Sequence, residues 1–350
     1  MKFWKILLLS HEMTYTGAPN SLLNVARTLR QHGHLVTIYT LHGGDFVREY
    51  HRHGFRVHYY DEKNYTDEQR RAFSKKYDLM IANTVFCAEA AYNMQKNMPT
   101  ILYLREARNL PDILAKCDID SRYITDAENV VCVSEYARDF IAEAYHPKRL
   151  WTVHNFLIKR KIPKVKKDTD KVNFLIAATV EERKGISVAV DAYRQLPENI
   201  RQKACLHIAG RTPDWAESYW RNINLKGDPG VIYHSEISDR KEMDRLIALS
   251  DVIVVPSFDE SCSLTVLEGA MFGKALIVTE NVGAKYMVDD SNGRIVKTGD
   301  VKDLSKAIRE LTENKDRLSG YGAVSCERFA GECGAARFYK DIKKIFKELR

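Results

Sequence analysis

Residues 254–279, VVPSFDESCSLTVLEGAMFGKALIVT, read as the end of a buried strand, a polar loop, a helix and a second buried strand. The apolar run at 252–255 stops at Pro256, which has no N–H to donate to a ladder. A loop holding Glu260 follows, an apolar helical period begins near Ser263, and Glu268 lies one to two turns into it. Two carboxylates eight positions apart (268 − 260) therefore flank a helix N-terminus at the carboxyl edge of a strand. The first amides of that helix, at Ser263, Leu264 and Thr265 with Cys262 just before them, lack intrahelical partners and carry the positive end of the dipole, which suits a phosphate. A carboxylate on either side can accept hydrogen bonds from hydroxyls flanking that phosphate. A nucleoside diphosphate sugar has this layout, with ribose hydroxyls on one side and sugar hydroxyls on the other. A single helix glutamate or loop acid is more often a solvated surface group; the pair in this setting carries the inference.

Working towards the N-terminus, residues 177–190, AATVEERKGISVAV, place Arg183 and Lys184 after another buried strand and just before Gly185 and a helix. By the rule that ligands bind at the carboxyl ends of parallel strands, both cations face the same edge as Glu260. Two cations there can neutralise a diphosphate leaving group as its bond breaks. An isolated Arg-Lys-Gly triplet is as often a surface turn, and it gains weight here only from the acidic pair.

The alternation of strand and helix runs along the whole chain. Apolar runs at 6–9, 35–40, 56–60, 79–83, 101–104 and 130–134 predict one parallel α/β sheet. Runs at 174–178, 205–209, 231–234, 252–255, 275–279 and 294–296 predict a second, with helical periods at 187–194 and 241–249 between them. The first helix is predicted over 21–32, with Leu22, Val25, Ala26 and Leu29 on one face, Asn20 or Ser21 as cap and Gly33 as stop. A Pro- and Lys-rich stretch at 157–171 breaks both periodicities. The expected domains are 1–160 and 161–333, with a last helix at about 334–350 that packs on its own domain or crosses back to the first. The fold class is α/β, two Rossmann-like doubly wound parallel sheets.

Composition bounds the rest. Of 350 residues, 45% are hydrophobic and 29% charged, which excludes global disorder. The basic, apolar start MKFWKILLLS lacks a small-residue cleavage site and reads as a strand. No apolar run approaches the ~20 residues of a membrane span. Seven scattered cysteines without CxxC spacing suit a reducing, cytoplasmic setting. The net charge of +7 is uneven: KRKIPKVKK at 159–167 holds Lys159, Arg160, Lys161, Lys164, Lys166 and Lys167 without an acid. This run is either a solvated linker or a contact with an anionic membrane face or ligand; nucleic acid is not expected, since no aromatics interleave.

The motifs resemble glycosyltransferase family 4, retaining enzymes of GT-B architecture. ESCSLTVLE followed by GAMFGKALIVT is similar to the family's E-x7-E signature, and TGAPNSLLNVARTL, VVCVSEYARDFI, TVHNF, RKG, LHIAGR and SNGRIV resemble further blocks along nearly the whole chain. The resemblance implies transfer of a sugar from a UDP- or GDP-sugar to a glycan or lipid-linked acceptor, in polysaccharide biosynthesis, with no cofactor and no metal. Glu268 would bind ribose, Glu260 the transferred sugar, and Arg183 and Lys184 the diphosphate with the amides of Leu264 and Thr265. Gly17 would admit the phosphates closely, Gly210 and Arg211 would line the donor site, and backbone near Ile237 would meet the base. Arg105, Glu106 and Ser134 would lie on the acceptor side.

Three departures from the family pattern stand out: Ala177–Ala178 where Gly-Arg is usual, Arg105–Glu106 where His-Glu is usual, and Ala18 at the first loop's second glycine. The missing acceptor-domain histidine keeps open a non-catalytic nucleotide- or partner-binding subunit, and a sugar-nucleotide epimerase is a second alternative. The Asp118-Ile119-Asp120 triplet mimics a metal motif but follows no apolar strand, and His32, His34, His51 and His53 lack a third ligand and read as surface or turn residues.

Overall fold

The computed structural model describes residues 3–61, 65–167 and 170–349. The chain forms two compact units, Met1–Ile158 with Ala335–Arg350, and Lys159–Gly334. Among the described residues, unit 1 carries the strands β1 Lys5–Ser10, β2 Leu35–Thr40, β3 Val57–Tyr59, β4 Leu79–Asn83, β5 Thr100–Leu104, β6 Val130–Cys132 and β7 Leu150–Thr152. They form one sheet in the order β3-β2-β1-β4-β5-β6-β7, parallel throughout. Unit 2 carries β8 Val172–Ala177, β9 Ala204–Ala209, β10 Val231–Tyr233, β11 Val252–Val255, β12 Ala275–Thr279 and β13 Gly293–Val296, in the order β10-β9-β8-β11-β12-β13 and again parallel.

Both sheets are doubly wound because each central strand is apolar on both faces: every residue of β4, β5, β11 and β12 is buried. In unit 1, Leu7, Leu9, Met80 and Leu102 pack against the helical Ala88, Ala91 and Ile141. In unit 2, Phe174, Ile208, Val254 and Ile277 meet Val190, Ile308 and Leu311. Chain order reverses between β1 and β4 and between β8 and β11, which creates one topological switch point per sheet.

Several local expectations need correction. The first helix spans Gly17–Gln31, so Gly17 opens a helix rather than lying in a loop. It needs no left-handed backbone there, since its φ is not positive. The strand expected to reach residue 134 ends at Cys132, because Ser134 leaves the ladder to cap helix Glu135–Tyr145, its Oγ accepting from the Ala137 N–H at 3.2 Å. β7, three half-buried residues at a sheet edge, has too short an apolar signal to be foreseen. Among the described residues, no helix is long and apolar enough to cross a membrane.

Helix Ala335–Glu348 belongs to unit 1. Its buried face sets Phe338 on Phe156 with ring centroids 4.1 Å apart, and Phe346 on Trp4 at 5.4 Å. His34 is buried rather than at the surface. Its Nδ1 accepts from the Trp4 N–H at 3.2 Å, so in the neutral ring Nε2 bears the proton and donates to the Tyr339 hydroxyl at 3.2 Å. Burial, with His32 as a lesser cause, lowers the pKa of His34 and keeps that ring neutral. His32 stacks on Tyr339 at 3.5 Å. Phe338→Ala should cost about 3–5 kcal/mol through the cavity it leaves, read as a lower urea midpoint for unit 1; a wild-type midpoint would show that this helix contributes little.

Candidate active site

β8 and β11 lie side by side at the centre of the unit 2 sheet, and the loops after them meet at its carboxyl edge. Gly185 ends a short 3-10 turn, Glu182–Lys184, with φ +65°. A Cβ there would sit 2.0 Å from the Pro256 carbonyl oxygen, so only glycine lets the loops approach. The Phe258 N–H donates to the Arg183 carbonyl at 2.8 Å and joins the two loops through backbone. Gly210, after β9, is equally constrained, since a Cβ would lie 1.8 Å from the Ala178 carbonyl oxygen. Its N–H donates to Ser235 beyond β10 at 2.8 Å, which draws a third loop to the same edge. Arg211 is exposed, its carbonyl accepting from the Val180 N–H at 2.8 Å, and Ile237 is half-buried in the loop after β10.

The charged groups interlock. The Lys184 ammonium donates to Glu260 Oε2, with the side chains only 14% and 16% exposed. Arg183 Nη1 lies 3.9 Å from the same oxygen and donates to the Asp259 carbonyl at 2.8 Å, while Nη2 reaches Glu181 at 2.7 Å. Burial alone would raise the pKa of Glu260. Lys184, Arg183 and the Cys262 N–H more than offset it and leave the carboxyl below its usual range. Its backbone is fixed as well, the N–H on Asn281 at 3.2 Å and the carbonyl accepting from Gly283 at 2.7 Å. Both cations are thus already engaged with acids of this chain, and an incoming anion would share them.

Helix Leu264–Met271 starts beside this pair. Ser263 occupies the cap position without a side-chain cap bond, and no acidic side chain lies in the first turn, so its amides keep their positive end. Thr265 Oγ1 donates to the Ala177 carbonyl at 2.9 Å and fastens the helix to the end of β8. Glu268 is buried farther along the helix. Its Oε1 takes Arg240 Nη1 at 2.7 Å and Arg160 Nη2 at 3.1 Å. Both arginines also contact Asp244, Arg160 Nη2 at 3.1 Å and Arg240 Nε at 2.8 Å. Burial by itself would lower the pKa of Arg240; Glu268 and Asp244 reverse the sign.

This group of four was not foreseen. Arg240 and Asp244 stand four apart on one helix and could have been noticed, whereas Arg160 was counted in the basic linker. That reading of six uniform cations needs correction: Arg160 faces inward, and Lys167 pairs with Asp251 at 2.6 Å, leaving Lys159, Lys161, Lys164 and Lys166 exposed.

The remaining candidates belong to unit 1. Arg105, after β5, stacks its guanidinium 4.0 Å from the Tyr103 ring centroid, donates from Nε to Asn83 at 2.8 Å and contacts Asn155. Glu106 is buried and accepts from the Val85 and Arg105 N–H groups; burial dominates and raises its pKa to about 7. Between Asn83 and Val85, Thr84 holds φ +78°, rare for a β-branched residue, and its hydroxyl meets His11 Nδ1 at 3.1 Å. Gly17 also lies in this unit. Asp118 caps a helix C-terminus in the left-handed conformation and Asp120 pairs with Arg122 at 2.9 Å, both on an exposed turn. Among the described residues, no three His, Cys, Asp or Glu side chains gather as a metal site.

The chain is similar to known proteins along both units. The model for glycosyl transferases group 1 matches residues 158–323, and the model for glycosyl-transferase family 4 matches residues 2–108. An uncharacterised glycosyltransferase of Methanocaldococcus jannaschii is 23% identical over 236 residues, 64% of this chain and 59% of that protein, less than two thirds of its length. The alpha-maltose-1-phosphate synthase of Mycolicibacterium smegmatis is 20% identical over 66% of each chain. Among solved structures, Anabaena HepE in complex with UDP and glucose matches with a TM-score of 0.80 at 15% identity, over 99% of this chain and 100% of that one. A glycosyltransferase of Rickettsia africae matches at 0.78 and 16%, over 99% and 98%. With one family model on unit 2, another on most of unit 1, and two doubly wound sheets beneath them, the chain belongs to glycosyltransferase family 4 and has the GT-B fold.

Proposed function

We propose that this chain moves a sugar from a uridine diphosphate sugar to a hydroxyl of a glycan or lipid-linked acceptor, with retention at the anomeric carbon and without a metal ion. The observation that carries the reading is the half-buried Lys184–Glu260 pair at the switch point of unit 2, beside a helix N-terminus whose first turn holds no acid. Solved complexes of Anabaena HepE contain UDP, UDP with glucose, and UDP-glucose, which favours uridine over guanosine here.

In this account the amides of Leu264 and Thr265 receive the distal phosphate, and Lys184 and Arg183 take up charge as the anomeric C–O bond to phosphate breaks. Metal-independent chemistry follows from those donors doing an ion's work. Glu268 has Oε1 tied to two arginines, which orients Oε2 towards the ribose hydroxyls. Glu260 stays ionised through the neutral range, because its pKa lies below the usual value. It therefore accepts hydrogen bonds from the sugar and steadies positive charge at the anomeric carbon, and it does not act as a proton donor. The acceptor oxygen bonds to that carbon from the face the phosphate leaves, and its proton passes to the departing phosphate oxygen. The reading includes a role in polysaccharide biosynthesis on the cytoplasmic face of a membrane. A contact with an anionic leaflet would rest on the four exposed lysines, each contributing up to about 1 kcal/mol.

Two outcomes are expected. Glu260→Gln should lower kcat about 100-fold or more with a small change in donor KM, while Glu268→Ala should raise donor KM about 10- to 100-fold with kcat largely kept. Wild-type kinetics in either variant would contradict the assignment. Turnover should also persist in excess EDTA; activity lost to chelator and restored by magnesium or manganese would contradict the metal-free route.

A further inference from the structure

The amino edge of the unit 1 sheet, opposite the strand ends that carry Arg105 and Glu106, has a cavity of about 320 Å³ beside β2 and β3. That volume lies at the low end of the ~300–1,000 Å³ typical of small-ligand sites. Arg30, Thr37, Arg56 and His58 bring polar groups to its wall, and among the described residues no carboxylate lines it. His34 also reaches it, but both ring nitrogens are spent on Trp4 and Tyr339. The Arg30 guanidinium is set in place. It stacks 3.9 Å from the Phe55 ring centroid, and it donates from Nη2 to the His53 carbonyl at 2.6 Å and from Nη1 to the Gly54 carbonyl at 3.3 Å. Those carbonyls fix its position and leave its charge. The side chains of Thr37, Arg56 and His58 make no hydrogen bond or ion pair among the described residues, and Arg56 and His58 are exposed. The charge of this stretch is one-sided. From Arg27 to His58 the chain has five arginines and two acids, and Asp45 and Glu49 are already paired with Arg48 and Arg52. Arg27, Arg30 and Arg56 are left without a carboxylate. Their neighbours feel the excess: burial, then Arg30, lowers the pKa of Arg27, and burial, then Arg27, lowers that of His53.

We propose that this cavity binds a phosphate monoester of a small soluble molecule, through residues that the sugar transfer does not use. The donors decide the class. Guanidinium groups only donate, and the Thr37 hydroxyl and the His58 ring can do so as well, so the wall offers donors with no charged acceptor to compete. A phosphate monoester brings a charge of about −1.5 to −2 near neutral pH and three acceptor oxygens, a match for the two arginines of the wall that have no acid. A carboxylate brings one charge and would leave one of them unmet. Arg30 is held before the ligand arrives, so little side-chain freedom is lost on binding. Leu35 and Val36 border the same space, and Leu35 is 64% exposed, which gives the ester's carbon skeleton an apolar rim. The low volume favours a small ester over a nucleotide sugar.

Titration calorimetry on the full chain, saturated with UDP to fill the donor site and in about 0.15 M salt, tests this with glycerol 3-phosphate, ribose 5-phosphate and glucose 6-phosphate. At least one should bind, and its Kd should rise about tenfold or more in Arg56→Ser and about threefold or more in His58→Gln. Both residues are exposed, so both variants should keep the wild-type melting temperature. Lys184→Ala should leave the Kd of the ester unchanged. Binding lost in Lys184→Ala but kept in Arg56→Ser would place the ester in the donor site and overturn the proposal. So would a wild type that binds none of the three, equal Kd in the wild type and the two cavity variants, or sulfate or glucose bound as tightly as the ester. Vesicles containing phosphatidic acid, set against phosphatidylcholine alone, separate a lipid source. Capture that depends on Arg56, with no binding of the soluble esters, would assign the phosphate to a headgroup and overturn the soluble class. A protein that binds the ester but no UDP would sustain this cavity and contradict the donor site instead.

Discussion

Lys184 and Glu260 stand 76 residues apart in the chain, in loops that follow two different strands, and their charges meet largely out of water. Withdrawing two ions from water costs several kcal/mol each, so such a contact lasts only where further partners complete it. Here Arg183, the Cys262 amide and the backbone bridge from Glu260 to Val282 provide them. Much of the surrounding geometry follows from that meeting. Gly185 must lack a side chain because the two loops cross at Pro256, and Gly210 because the next loop closes on Ala178. The helix that begins at Leu264 is thereby set with its amides beside a carboxylate that is already balanced. In the proposed function an arriving diphosphate would find donors held in place and would not have to organise them, which is how fixed dipoles lower a barrier.

The second carboxylate is fixed by different means. Glu268, Asp244, Arg160 and Arg240 form a closed set of two acids and two bases, and Arg160 comes from the stretch just beyond the boundary between the units. The linker is therefore tied to unit 2 at two places, by Arg160 to the Glu268 group and by Lys167 to Asp251. The same contacts reduce the outward basic charge of the segment to four lysines.

The sheets were legible in the amino-acid order because buried parallel strands are continuous apolar runs, and β4, β5, β11 and β12 were each recognisable on that ground alone. The E-x7-E pair was legible because a proline, a polar loop and a helical period mark a strand end and a helix start in succession. What escaped has a physical reason in each case. β7 has three residues and only half-buried faces. Ser134 looked like strand because its neighbours are apolar, yet its hydroxyl serves better as a cap. His34 and Arg160 find their partners only through tertiary contacts, His34 with Trp4 and Tyr339, 30 and 305 residues away, and Arg160 with Asp244 and Glu268, 84 and 108 residues away.

The account stands most directly on Glu268 as the group that holds the ribose, and a chemical double-mutant cycle measures that contact. Titration calorimetry would compare UDP with 2′,3′-dideoxy-UDP on the wild type and on Glu268→Ala. Removing the two hydroxyls should weaken binding about 10- to 100-fold in the wild type, the worth of a hydrogen bond to a charged group. In the variant the two ligands should bind alike. An equal loss in both proteins would place the ribose elsewhere and contradict the site described.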